Sequence, residues 1–123
     1  MKLKILLLAI LLVGLVTGCY YDVIKPADPN APPQQVSYSG DLQPIWTDNC
    51  TTSGCHDGAH DPLLTPEDSY NALMSGGFVN TAIPNESTLY QVLSGGSMPP
   101  TGKLPSSDIQ MVLDWIKNGA PNN

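Results

Sequence analysis

Seven residues organise this chain: Cys50-Thr51-Thr52-Ser53-Gly54-Cys55-His56. Two cysteines followed at once by a histidine form the arrangement that attaches haem covalently, because each thiol can add to one vinyl group. The histidine is then held beneath the iron, where its neutral imidazole can act as a ligand. The pattern predicts one covalent haem c, with Cys50 and Cys55 as thioether residues and His56 as the proximal iron ligand.

The spacing between the two cysteines is two residues longer than in the usual C-x-x-C-H pattern. In a regular helix, residues i and i+3 lie about 60° apart around the axis, whereas i and i+5 lie about 140° apart. Both sulfurs can therefore reach one haem edge only if the intervening residues leave the helix. Residues 51–54 are poor helix formers, and Gly54 tolerates unusual backbone angles. We predict a bulged segment between the cysteines.

The first eighteen residues have the pattern of an export signal. Two lysines precede an apolar run over residues 5–16, which is too short for a comfortable membrane span. The run ends in Val16-Thr17-Gly18-Cys19, which resembles the lipobox of bacterial lipoproteins. This resemblance implies cleavage before Cys19, lipidation of that cysteine and anchoring to a bacterial membrane, with the outer membrane favoured and the domain in the periplasm or at the cell surface. The alternative is a plain signal peptide that leaves a free thiol.

The chain is acidic, with 11 Asp and Glu against 5 Lys and Arg. Removal of Lys2 and Lys4 with the signal changes the net charge from −6 to −8. Nucleic acid is disfavoured as a partner, because phosphate contacts need a basic surface. A basic protein partner would be steered towards the domain, although solubility explains the charge equally well.

The sequence divides into a signal peptide over residues 1–18, a lipidated cysteine with a proline-rich tether over 19–37, and a domain over 38–123. Such a tether either extends by about 3.1 Å per residue or lies against the domain. The first predicted helix of the domain runs from about Asp41 to Asn49, with Ser39 or Asp41 as its cap.

Three further short helices follow along the domain. Thr65 caps the second, which stops at Gly76-Gly77. Asn85 or Ser87 starts the third, which stops at Gly95-Gly96. Ser106 caps the fourth, and Gly119 stands where a left-handed residue ends it.

The region from about Val36 to Ala120 resembles small c-type cytochrome domains of bacterial lipoproteins, including the planctomycete-type cytochrome family. Three pieces carry the resemblance: Asp41-Leu42-Gln43-Pro44-Ile45-Trp46 before the Cys/His motif, a Met98-Pro99-Pro100 loop, and a tail with Trp115-Ile116 and Gly119-Ala120. The resemblance implies an all-α, cytochrome c-like fold of four short helices around one covalently bound haem. The first and last helices would cross, with Leu42, Ile45 and Trp46 packed on Ile109, Leu113 and Ile116.

Met98 is the candidate for the distal iron ligand. It lies 42 residues after His56, which leaves room for the chain to wrap to the other haem face. Two prolines stiffen its loop, and a thioether ligand raises the reduction potential. The alternative is a loop methionine packed on the core. His60 competes for the same role, but it is only four residues from His56 and reaches the opposite face awkwardly.

Two other classes of protein compete with the haem interpretation. Cys50, Cys55, His56 and His60 could form a Cys2His2 zinc site, although the adjacent Cys55 and His56 would struggle to face one tetrahedral centre. The two cysteines could also staple a binding module as a disulfide. We predict a membrane-anchored monohaem cytochrome that carries single electrons to a redox partner. It is not expected to be an enzyme, although it could accept electrons from a separate dehydrogenase.

Overall fold

The structure, a computed structural model, describes residues 32–123. This part of the chain holds four α-helices and no strand: α1 (Gln43–Asn49), α2 (Ser69–Ser75), α3 (Thr88–Ser94) and α4 (Ser106–Lys117). A π-helical turn (Tyr38–Leu42) runs directly into α1, and a 3-10 turn (Pro84–Glu86) precedes α3. The predicted all-α class with four short helices is confirmed. None of the described helices combines the length and apolarity that crossing a bilayer requires.

The predicted signal peptide, the lipidation site Cys19 and the first part of the tether lie outside the described residues. The compact unit begins at Pro32, and Val36 is buried in its core. The amide of Gln34 donates to Asp114 Oδ2 (3.3 Å), and its carbonyl accepts from Asn118 Nδ2 (2.6 Å). The last residues of the predicted tether therefore lie against the domain.

Ser37 begins the first helical segment. Its Oγ accepts from the Gly40 amide (3.1 Å), and its own amide donates to Asp41 Oδ2 (2.8 Å). This reciprocal arrangement is a capping box with one residue more than the usual spacing, which matches the wider π-helical turn that it opens. The predicted cap at Ser39 or Asp41 is therefore wrong, and Asp41 supports the cap instead of providing it.

Two other predicted helix starts also differ from the structure. The Thr65 carbonyl accepts from the Ser69 amide (2.9 Å), and the Thr65 hydroxyl donates to Asp68 Oδ2 (3.0 Å). Residues 65–68 therefore form a turn, and α2 begins at Ser69. Ser106 is the first residue of α4 and not its cap. The predicted helix ends are confirmed, since α2 stops at Gly76, α3 at Gly95, and α4 is followed by Gly119 at φ +89°.

The hydrophobic core joins the first helical segment to α4. The residues that share this buried cluster include Leu42, Ile45, Trp46, Ile109 and Ile116. Helix α4 contacts the first segment mainly through the π-helical turn. Leu113 is buried outside this cluster, which corrects the prediction that it packs with the other five.

Three aromatic side chains, Tyr38, Tyr70 and Trp115, pack together and form the aromatic group of the domain. The ring centroid of Tyr38 lies 5.2 Å from that of Tyr70 and 5.2 Å from that of Trp115. The indole Nε1 of Trp115 donates to the Pro121 carbonyl (2.9 Å), and the Tyr70 hydroxyl donates to the Ala120 carbonyl (3.0 Å). Buried aromatic pairs at these separations add to stability beyond the area they remove from water.

Candidate functional site

A cavity of about 670 Å³ opens between the end of α1, the loop that follows it, α2, α3 and the loop after α3. Its walls are largely apolar, with Trp46, Leu73, Phe78, Leu89 and Leu93 among the lining residues. The volume falls within the range of cofactor and small-molecule sites, roughly 300–1,000 Å³.

The four residues that the sequence predicts as haem-binding all line this one cavity: Cys50, Cys55, His56 and Met98. They come from two loops, one after α1 and one after α3. His60, the competing ligand candidate, also lines the cavity. Helix packing therefore gathers two thiols, two imidazoles and a thioether around a single apolar volume.

The segment between the cysteines leaves the helix, as predicted. Helix α1 ends at Asn49, and Gly54 adopts φ +84°, a left-handed angle that glycine tolerates without a steric penalty. The His56 amide then donates to the Cys50 carbonyl (3.1 Å), which closes a loop. The extra residues of the long spacing are taken up inside this loop, so that Cys55 and His56 return beside Cys50.

The imidazole of His56 is held by the main chain of the same loop. Its Nδ1 lies 3.2 Å from the carbonyl oxygen of His60. A carbonyl can only accept, so this hydrogen bond places the ring proton on Nδ1 and leaves the lone pair on Nε2. Histidines that ligate metals are commonly oriented in this way, because the second hydrogen bond sets both the tautomer and the ring direction.

The two thiols differ in their surroundings. Cys50 is 8% exposed, and burial together with the nearby Cys55 thiol raises the pKa of Cys50 to about 11. Cys55 is only half-buried, and its Sγ accepts a hydrogen bond from the Thr52 hydroxyl (3.3 Å). Both thiols are free, so no disulfide joins these two described cysteines.

Met98 differs from the other methionines of the described domain. Its side chain is 41% exposed and lines the cavity, whereas Met74 and Met111 are partly buried and pack against the core. The Met98 amide donates to the Val92 carbonyl (3.2 Å) at the end of α3. Pro99, which follows, is buried. The loop is thus attached on both sides of a side chain that is free to face the cavity.

Two features of the site were missed by sequence reasoning. The sequence presents His60 only as a candidate ligand, whereas its main-chain carbonyl is the group that contacts His56. Carbonyl positions leave no signal in a sequence, because every residue has one. Gln43 was noted only as part of a shared motif, although its side chain joins α1 to the loop after His56.

The rim of the cavity carries negative charge. Asp48 and Asp61 are exposed and line the cavity, and none of its described lining residues is a lysine or an arginine. The exposed side chains that line the cavity therefore include acidic groups and no basic group within the described residues.

Within residues 32–123, no group of three or more His, Cys, Asp or Glu side chains is arranged to hold a metal ion by itself. Comparison of the chain with protein-family models, with curated proteins and with solved structures gave no match.

Proposed function

We propose that this chain is a membrane-anchored, monohaem c-type cytochrome that carries single electrons, with a cytochrome c-like arrangement of its four helices. The observation that carries the proposal is the shared cavity: Cys50, Cys55, His56 and Met98 all line it. The Cys/His motif selected the first three residues, and the Met-Pro-Pro loop selected Met98, in both cases without reference to the cavity. Their convergence there is therefore independent support.

A c-type haem fits the chemistry of this donor set. Two free thiols are available for thioether bonds, one imidazole presents Nε2, and one thioether lies on a second loop. The apolar walls match a porphyrin ring, and they limit the access of water to it. When bound, the haem iron supplies a one-electron couple between its ferric and ferrous states.

The chain's own residues would set the properties of that couple. His56, held at Nδ1 by the His60 carbonyl, would serve as the proximal ligand with its ring direction already determined. Met98 would serve as the distal ligand and favour the reduced state, since a thioether raises the reduction potential. If His56 and Met98 both hold the iron, no position on it is open to a substrate, and electron transfer to a docked partner would fit better than a reaction on a bound substrate.

The lipobox pattern supports the membrane anchor in this proposal, and the acidic residues of the cavity support the partner. Lipidation at Cys19 would hold the exported domain at a bilayer, and acyl chains in pairs anchor stably. The partner would be a basic redox protein, because Asp48 and Asp61 stand at the cavity opening. Opposite charge at a docking surface raises the association rate more than the affinity.

The test is production of the full chain in a bacterial host that makes c-type cytochromes. We expect a coloured protein, one iron per chain, a reduced-minus-oxidised spectrum of a c-type haem, and haem that stays with the denatured polypeptide. The matched variant Cys50→Ala/Cys55→Ala should release its haem under denaturing conditions. A colourless, iron-free protein would reject the proposal, and its zinc content and thiol titration would then distinguish a zinc site from a disulfide.

A further inference from the structure

A chain of side-chain hydrogen bonds crosses the interior from the aromatic group towards the Cys/His loop. The Tyr38 hydroxyl donates to Ser69 Oγ (2.8 Å), and the Ser69 hydroxyl donates to Gln43 Oε1 (2.6 Å). Gln43 Nε2 then donates to the Leu64 carbonyl (3.1 Å). Each residue in this series donates to the next, from Tyr38 to Leu64, and neighbouring hydrogen bonds strengthen one another in such an arrangement.

Leu64 is the point at which this chain reaches the candidate site. Its carbonyl accepts from Gln43, and its amide donates to the His56 carbonyl (2.9 Å). Its side chain is buried and lines the cavity. The hydrogen bond between Leu64 and His56 therefore closes residues 56–64 into a loop. The side chain of Gln43 attaches this loop to α1.

The closed segment contains the group that orients the imidazole. The His60 carbonyl contacts His56 Nδ1, and the His60 amide donates to the Cys55 carbonyl (3.1 Å). Two main-chain hydrogen bonds therefore hold this loop: the His60 amide bonds the Cys55 carbonyl, and the Leu64 amide closes the base of the loop on His56. Loosening of Leu64 would remove the second of these restraints and weaken the attachment of the loop to α1.

We propose that Gln43 is a positioning residue for His56: by holding the Leu64 carbonyl, it keeps the loop that carries the His60 carbonyl in contact with the imidazole. This inference rests on the proposed function, since it assigns a role towards an iron ligand. It adds a residue that neither lines the cavity nor belongs to the Cys/His motif.

The amide side chain suits this position for a chemical reason. It accepts a hydrogen bond from a buried hydroxyl, that of Ser69, and donates one to a buried carbonyl, that of Leu64, at the same time. A carboxylate would repel the Leu64 carbonyl. An apolar side chain of similar length would leave the Leu64 carbonyl without its donor and the Ser69 hydroxyl without its acceptor. An unpaired buried polar group is destabilising, so the native amide restricts the loop to one position.

The experiment compares Gln43→Met with Gln110→Met in the haem-loaded full chain. Gln110 is a half-buried glutamine on α4 whose Nε2 donates to Asp114 Oδ1 (2.8 Å), away from the cavity. We expect amide hydrogen exchange at Leu64 and His60 to accelerate roughly fivefold to tenfold in Gln43→Met, relative to the amides of α4. We also expect the reduction potential to rise, because an imidazole with a weakened Nδ1 hydrogen bond is a less basic ligand and stabilises ferric iron less. Gln110→Met should change neither quantity.

A second variant keeps the proposal testable if Gln43→Met folds poorly. Ser69→Ala removes one hydroxyl, interrupts the same chain and should shift exchange and potential in the same direction by less. The double variant should show less than the sum of the two effects, because the residues act in one chain. Equal potential shifts in the Gln43 and Gln110 variants, or exchange at Leu64 and His60 unchanged in Gln43→Met, would overturn the proposal. If the wild-type protein carries no covalent haem, the proposed function fails separately, and the exchange rates alone decide the role of Gln43.

Discussion

His56 and His60 are joined by a hydrogen bond in which the main chain of one orients the side chain of the other: Nδ1 of His56 lies 3.2 Å from the His60 carbonyl. The contact uses the backbone of His60 and none of its imidazole. The two histidines therefore contribute different groups to this contact, although both line the cavity.

This difference predicts distinct results from the two alanine variants. His60→Ala keeps the carbonyl, so the spectrum and the reduction potential should stay close to those of the wild type. His56→Ala removes the proposed proximal ligand and should abolish the six-coordinate low-spin spectrum. Visible absorption of both oxidation states checks the pair. A changed axial ligation in His60→Ala would support bis-histidine coordination instead.

Met98→Ala should remove the sulfur-to-iron charge-transfer absorption and lower the reduction potential. The cost in stability of the fold itself should be small, below about 1 kcal/mol, because the side chain is 41% exposed. Met111→Ala is the control: it truncates a methionine that packs against the core. That variant should keep the absorption and lose about 1–2 kcal/mol in denaturant unfolding. An unchanged charge-transfer absorption in Met98→Ala would assign the distal position to another group.

Protein made without haem attachment and kept reduced should lose stability as the pH rises from about 9 to about 11. Burial and the Cys55 thiol raise the pKa of Cys50 from 9.0 to about 11, so the folded thiol stays protonated where the unfolded thiol has ionised. The unfolded state then binds fewer protons, and the free energy of unfolding should fall by about 2 kcal/mol at most across this interval.

Urea unfolding at pH 8 and at pH 11 measures this fall, and Cys50→Ala is the control. Other groups titrate in the same interval, and burial raises the pKa of Tyr38 as well, with the same sign. The difference between the wild type and Cys50→Ala isolates the thiol. Identical pH dependence in the two proteins would show that Cys50 is not buried in the unattached state.

Cys19→Ser should release the protein from the membrane fraction. Residue 19 lies outside the described part of the chain, so this prediction depends on the lipobox pattern alone. Wild-type protein should partition with membranes, and its mass should be higher by that of the attached acyl chains. The variant should lack this added mass and should remain uncleaved or soluble. Haem content should be the same in both. Soluble, unmodified wild-type protein would favour the plain signal peptide.

Neutralising the cavity rim should slow electron exchange with a basic partner. A lysine-rich soluble cytochrome serves as the probe in stopped-flow mixing, at low and at physiological salt. Asp48→Asn/Asp61→Asn should lower the association rate roughly threefold to tenfold at low salt and flatten its salt dependence. Glu86→Gln/Asp108→Asn, which removes the same charge away from the cavity, should have a smaller effect. Equal effects from both pairs would indicate that only the net charge matters.

The ends of the helices could be predicted from single residues, whereas several of their starts could not. The glycine stops after α2, α3 and α4 are confirmed because a backbone angle depends on the residue itself. The starts were less predictable, since several nearby side chains could serve as caps. Ser37 is the cap because its hydroxyl accepts from the Gly40 amide while Asp41 accepts from the Ser37 amide across the π-helical turn. Thr65 begins a turn, with its hydroxyl hydrogen-bonded to the Asp68 carboxylate.

In the candidate site too, some residues could be predicted from the sequence and others could not. Cys50, Cys55 and His56 were identifiable because haem attachment depends on spacing along the chain. The supporting residues were not, because Gln43 and Leu64 meet only through the packing of α1 on a loop 21 residues later. Leu113 was misplaced for a related reason: a helical period predicts burial, but not which neighbours a buried side chain has.

The amino-acid sequence alone determined the helical class, the reactive groups and the need for a bulge between the cysteines, because each is a property of consecutive residues. Only the tertiary structure decided that those groups face one apolar cavity, that the His60 carbonyl orients His56, and that Gln43 holds the loop between them. These relationships join segments that the chain separates, and they arise when several helices bury their apolar faces together and their polar side chains must find partners inside.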